Sequence, residues 1–289
     1  MTRQIELARG IVATVETDLD AVNGWLDRSA PAPIAPVGSP AAATISVVAH
    51  PEAPARCFLP YEYYQRVRWS SRSTAVVSVN GAAGTISEYF GKDGFRAELS
   101  VSPAGVPESL GVFLRLITAL ALIPRGAVVA HCSSVVVREH AHLFLGASGA
   151  GKTTTARRLG REGGLRVADD MAIVSWDECQ GGAVVEASPF DRASRLAGRR
   201  GQSWPLASVY AIQKAAAATR LEPTAPPGFS TWLGATVAPP LPEPEARAFL
   251  GAVVRLARRH APKRLAIQPR GAVMPALADD GATPRERDG

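Results

Sequence analysis

Nine consecutive residues carry the clearest chemistry in this chain: Gly146, Ala147, Ser148, Gly149, Ala150, Gly151, Lys152, Thr153 and Thr154. They fit G-x-x-x-x-G-K-[ST], a pattern that holds phosphate. Glycines at three of the first six positions let the backbone turn successive N–H groups inward around an anion. A helix starting near Lys152 would aim its positive end at the same point. Lys152 adds a mobile cation for the outer phosphates, and the Thr153 hydroxyl is a hard oxygen ligand suited to Mg²⁺. These residues are the candidate nucleoside triphosphate-binding set.

Seventeen positions after Lys152 come two adjacent carboxylates, Asp169 and Asp170. An Asp pair alone is commonly a helix cap or an exposed turn; the phosphate loop upstream changes the reading. Residues 141–145 have the apolar character of a buried strand, 153–161 of a helix and 165–168 of a second strand. A helix of about ten residues is roughly 15 Å long, and a strand of four or five residues covers the same distance. The chain can therefore run down the helix and return along the neighbouring strand. Such a crossover is parallel, which puts both strand ends on one edge of the sheet and the acidic pair beside the loop. One carboxylate there can hold Mg²⁺, directly or through water, and the other can take a proton from an attacking hydroxyl. The spacing does not say which does which.

The elements around this site suggest two domains and a tail. Residues 1–124 read as a small β-rich α+β domain, 125–275 as the phosphate-loop domain and 276–289 as a disordered tail. In the first, residues 5–17 fit a strand pair or a short helix equally, and 29–40 is a Pro-rich linker. Strand character at 44–49, 55–59, 74–79, 84–89 and 95–101, with the hairpin signal Asn80-Gly81, predicts an antiparallel sheet of about five strands. Tyr61, Tyr63 and Tyr64 read as core and turn packing. Helical spacing over 110–122, stopped by Pro124, predicts a helix leading into the second domain. There the β-rich run 127–137 reads as one strand covered on both faces. Further strands are expected at 171–176, 183–187, 208–212 and 264–268, and an amphipathic helix at 244–259; 223–242 reads as mostly irregular.

Composition bounds the function. The chain has 289 residues, 46% hydrophobic and 20% charged, an ordinary globular mixture. Its net charge of +6 suits acidic ligands but is spread too thinly to argue for nucleic acid. The three cysteines Cys57, Cys132 and Cys179 are widely spaced, which favours a reducing compartment and argues against a thiolate metal site. The first residues show no secretory pattern, and the most apolar window, 110–130, is interrupted by Arg115, Pro124 and Arg125, so it will not span a bilayer. A cytoplasmic protein without nucleic-acid or membrane partners is expected. His140 and His142 flank a short turn with no third ligand in view and read as solvated. Arg192, Arg195, Arg199 and Arg200 form either a solvated loop face or a clamp for a γ-phosphate or an acidic substrate.

The C-terminal half resembles the HPr kinase/phosphorylase family and its kinase-like relatives, which share a fold with phosphoenolpyruvate carboxykinase. Three stretches carry the likeness, in order, over about residues 126–212: His131-Cys-Ser-Ser-Val135, the loop from Gly146 to Thr154, and Leu165-Arg-Val-Ala-Asp-Asp170. The resemblance implies an α/β P-loop kinase domain with a mixed sheet, and transfer from ATP, with Mg²⁺, to a serine hydroxyl of a peptide or protein. It also implies roles: Lys152 and the loop amides on the β- and γ-phosphates, Thr153 and Asp169 on the metal, Asp169 and Asp170 sharing base duty, and His131 near the transferring phosphate. Relatives are commonly oligomeric. The chain departs from the family at Thr154, where an acidic residue is usual, in the absence of a second signature over 188–204, and in its N-terminal domain. Two other functions fit the same residues: a small-molecule hydroxyl kinase, and a binding module switched by nucleotide.

Overall fold

The computed structural model describes residues 1–8, 11–29, 41–49, 65–79, 82–89, 94–102, 106–178, 181–188, 202–216, 219–222, 227–268, 270–278 and 280. The protein is a mixed α/β chain with two mixed sheets and six α-helices among these residues. It divides into two compact units, Met1–Arg125 with Ala238–Arg247, and Gly126–Val237 with Ala248–Gly289.

The first unit is a seven-stranded sheet ordered β1-β2-β3-β7-β6-β5-β4. Its strands are β1 (Thr2–Ala8), β2 (Ile11–Thr17), β3 (Ala43–Ala49), β4 (Gln65–Trp69), β5 (Ala75–Val79), β6 (Ala82–Ser87) and β7 (Phe95–Val101). This corrects the expected five-stranded antiparallel sheet. Residues 5–17 resolve as a strand pair, and β2–β3 and β3–β7 pair in parallel. The parallel pairing of β2 with β3 follows from helix α1 (Asp20–Ser29), which carries the chain from the end of β2 back to the start of β3. Strict alternation over β5, with Ala75, Val77 and Val79 buried and Val76 and Ser78 exposed, makes the sheet one-sided. Helix α2 (Val106–Leu122) packs on α1 and on the sheet. Residues 55–59, Tyr61, Tyr63, Tyr64 and the Asn80-Gly81 turn lie outside the described residues.

The second unit is a ten-stranded sheet. Eight strands follow the order β11-β9-β10-β14-β13-β12-β8-β16, and β17 pairs with β14 and β15. They are β8 (Val128–His131), β9 (Ser133–Val137), β10 (His140–Leu145), β11 (Leu165–Ala168), β12 (Met171–Asp177), β13 (Gly182–Ala187), β14 (Ser203–Lys214), β15 (Arg220–Glu222), β16 (Thr236–Val237) and β17 (Lys263–Ile267). The single strand expected over 127–137 is two. At Cys132 the chain leaves the β12 side of the sheet and enters the β10–β11 side. Between β11 and β12 it makes the same switch at Asp169 and Asp170, and the two switches are joined where Cys132 N donates to Asp170 O (3.0 Å).

The expected crossover from β10 through α3 (Lys152–Arg161) to β11 is present in direction but not in adjacency. Strand β9 lies between them, antiparallel to both, so β10 and β11 are parallel and both end near Ser133 and Ser134. Helix α3 buries Ala156 and Leu159 against Val135, Phe144 and Tyr210. The stretch expected to be irregular over 223–242 contains α4 (Gly228–Ala235), anchored by buried Trp232, whose Nε1 donates to His260 O (2.9 Å). Helix α5 (Glu243–Arg259) matches the amphipathic pattern. Part of the expected tail is built into the core. Ala276 and Leu277 of α6 (Met274–Ala278) are buried, and the Asp280 side chain is only 3% exposed. No helix among the described residues is long and apolar enough to cross a membrane.

Candidate active site

The phosphate-loop residues join the end of β10 to the first turn of α3. Gly149 and Gly151 take left-handed conformations (φ 75° and 107°), yet a Cβ at either would meet nothing within 4 Å. Glycine is needed there for backbone conformation and not for space. Ala147, Ser148 and Gly149 form the exposed apex, and Ala150 N donates to Ala147 O (3.1 Å) to close the turn. Gly151 caps α3 with no side-chain bond, so the first amides of the helix, from Lys152 on, have no partner within it. That end of the helix is a donor surface.

Lys152 lies across the loop, 7% exposed, with Nζ donating to Gly146 O (2.8 Å) and Ala147 O (3.2 Å). Burial lowers its pKa, while Asp170 and Cys132 oppose that shift. Lys152 is therefore electrostatically coupled to the acidic strand tip. The Thr153 hydroxyl donates to Asp169 O (3.1 Å), and Ser133 Oγ donates to the same carbonyl oxygen (2.8 Å). With its proton committed, the Thr153 oxygen offers lone pairs to a cation. Thr155 bonds back to Gly151 O (2.9 Å), whereas Thr154 is exposed on the helix surface.

The two carboxylates have separate surroundings. Asp169, 15% exposed, forms an ion pair with Arg166. In a regular strand, residues three apart face opposite sides. An irregularity in the β11–β9 register between Arg166 and Ala168 allows these two to meet. The Arg166 stem crosses α3 at Gly160, where a Cβ would come within 2.9 Å of it. Asp170 is 48% exposed, and its Oδ1 lies 3.1 Å from His131 Nδ1. Register pairing of His131 with Met171 puts them side by side.

The structure thus gathers His131, Lys152, Thr153, Asp169 and Asp170 at one end of the sheet. It ties Thr153 to the backbone oxygen of Asp169 and not to its carboxylate. Arg192, Arg195, Arg199 and Arg200 lie outside the described residues. His140 and His142 sit at the start of β10, away from the loop, and the expectation that both are solvated fails at His142, which is buried. Sequence reasoning passed over Ser133 and Arg166. The available signals were a hydroxyl two residues after His131 inside an apolar run, and a cation inside an apolar strand. Cys132, between His131 and Ser133, is a buried thiol.

No protein-family model matches this chain, and no curated protein does. The likeness to HPr kinases rests on the three motifs and their order.

Proposed function

We propose that the protein is an ATP- and Mg²⁺-dependent kinase that transfers the γ-phosphoryl group to a hydroxyl, a serine of a peptide or protein being the acceptor the motif resemblance implies. The observation that carries this reading is the bond from Thr153 Oγ1 to Asp169 O, which fastens the acidic strand tip to the first turn of the phosphate-loop helix.

The residues fit the cofactor set. Loop amides and the N-terminal end of α3 bind phosphate oxygens, and Lys152 adds its charge to the outer ones. Thr153, with Asp169 beside it, would hold Mg²⁺, which supplies charge neutralisation on the phosphates when bound. Asp170 is the base: it is half-exposed, so an acceptor hydroxyl can reach it, and His131 fixes its carboxylate. Asp169, already paired with Arg166, is the less available proton acceptor. The acceptor proton passes to Asp170 as its oxygen attacks.

Incubation with labelled ATP and Mg²⁺ against peptides, metabolites and lysate, followed by mass spectrometry of the acceptor, tests the reading. Lys152→Ala should lose nucleotide binding. Asp170→Asn should keep ATP affinity and lose about a hundredfold or more in transfer. Normal transfer by Asp170→Asn would remove Asp170 as base, and ATP turnover with no phosphorylated acceptor would favour the switched binding module.

A further inference from the structure

Helix α3 has a second end. Where its last turn meets the start of β10 and helix α6, a cavity of about 290 Å³ opens, near the lower end of the roughly 300–1,000 Å³ usual for small-molecule sites. Val137, Met274 and Leu277 supply apolar wall, and His140 and His142 line it two residues apart on one face of β10.

A hydrogen-bond chain fixes the protonation of His142, which is 6% exposed. Tyr210 Oη gives its one proton to Asp280 Oδ2 (2.8 Å), so its oxygen can only accept from His142 Nδ1 (3.3 Å). Asp280 is itself held by Lys263 Nζ (2.5 Å) and Ser208 Oγ (2.8 Å). Burial lowers the His142 pKa to about 4 against the pull of Asp280, so the ring is neutral near pH 7 and Nε2 carries a lone pair. His140 Nδ1 donates to Arg138 O (2.7 Å), which leaves its Nε2 as the acceptor in the neutral ring. Neither Nε2 has a hydrogen-bond partner among the described residues. Glu162, also in the lining, has both carboxylate oxygens engaged by Val273 N and Met274 N.

The cavity therefore combines apolar wall with acceptors that have no protein donor. Arg138 stands at the exposed edge of the lining, but the Glu162 carboxylate and the carbonyl end of α3 both disfavour an anion inside. Among the described residues no third metal-ligating side chain joins the imidazole pair, which disfavours a metal. We propose that this cavity binds a small uncharged ring compound bearing an N–H or O–H donor, of the phenol or indole kind. The ring lies against Met274 and Leu277 and the donor bonds His142 Nε2. The proposal is independent of the kinase reading.

The test is titration of the full chain, ¹⁵N-labelled at histidine, with phenol, toluene and benzoate, following imidazole nitrogens by long-range proton–nitrogen correlation. Phenol should move His142 Nε2 saturably, with toluene and benzoate binding at least tenfold more weakly. Ala278→Trp, at the exposed rim of the cavity, should abolish the shift and leave ATP affinity unchanged. Equal binding of toluene and phenol overturns the proposal, as does a phenol shift that survives Ala278→Trp. A response of both imidazoles to Zn²⁺ with none to phenol overturns it in favour of a metal.

Discussion

Asp169 acts in two ways that one residue name conceals: its carboxylate pairs with Arg166, while its carbonyl oxygen takes hydrogen bonds from both Thr153 and Ser133. In the kinase we propose, Ser133 would be a positioning residue, holding the acidic strand through the Asp169 carbonyl. Ser133→Ala should cost about 1 kcal/mol of stability, the net worth of one such bond. It should lower kcat by roughly tenfold, about 1.4 kcal/mol of barrier, while ATP affinity from titration stays unchanged and Ser133→Thr restores rate. His142 gives a pH signature. Its folded pKa of about 4 lies below the ordinary 6.5, so the unfolded chain binds its proton first as pH falls. The stability it contributes is present above pH 6.5 and is lost progressively between pH 6.5 and 4, on the order of 3 kcal/mol. Urea unfolding of wild type and His142→Phe across that window should show the difference between them shrinking as the pH drops.

Among the elements, β9 did most to change the expected arrangement. The spacing from Lys152 to Asp169 correctly implied that β10 and β11 run the same way, but not that β9 separates them. An apolar run with β-branched residues looks the same whether it is one strand or two, because hydrophobic pattern reports burial and not pairing partner. The turn from α3 into β11 is tightly built. A Cβ at Gly164 would stand 2.6 Å from Val135 Cγ1 and 3.1 Å from Leu159 O. Gly164→Ala should therefore destabilise the unit by about 1–3 kcal/mol through overpacking, read as a lower urea midpoint at unchanged slope. Gly163→Ala next to it has open space but a left-handed φ of 98°. It should cost roughly 1 kcal/mol through backbone strain alone.

At the scale of the whole molecule, the first unit is not continuous in sequence. Segment Ala238–Arg247 belongs to it: Trp69 Nε1 donates to Pro240 O (2.6 Å), and Arg72 pairs with the buried Glu245 (3.0 Å). A polypeptide of residues 1–125 lacks both partners. It should melt at a lower temperature than the same polypeptide with residues 238–248 grafted through a flexible linker, and equal melting temperatures would show that the segment adds nothing.

By itself the sequence determined the glycine loop between β10 and α3 and the acidic pair beside it, because glycine conformation, helix period and the reach of a short crossover are local physics. The one-sided strands and the helices α2 and α5 were legible for the same reason. Tertiary structure alone decided that Asp169 faces Arg166 while Asp170 faces His131, that Ser133 shares the Asp169 carbonyl with Thr153, and that His142 is locked by Tyr210 and Asp280. Those pairings join residues brought together by strand order and by a register irregularity. Hydrogen bonding across a sheet is chosen by which strands meet, a choice that no window of adjacent residues contains.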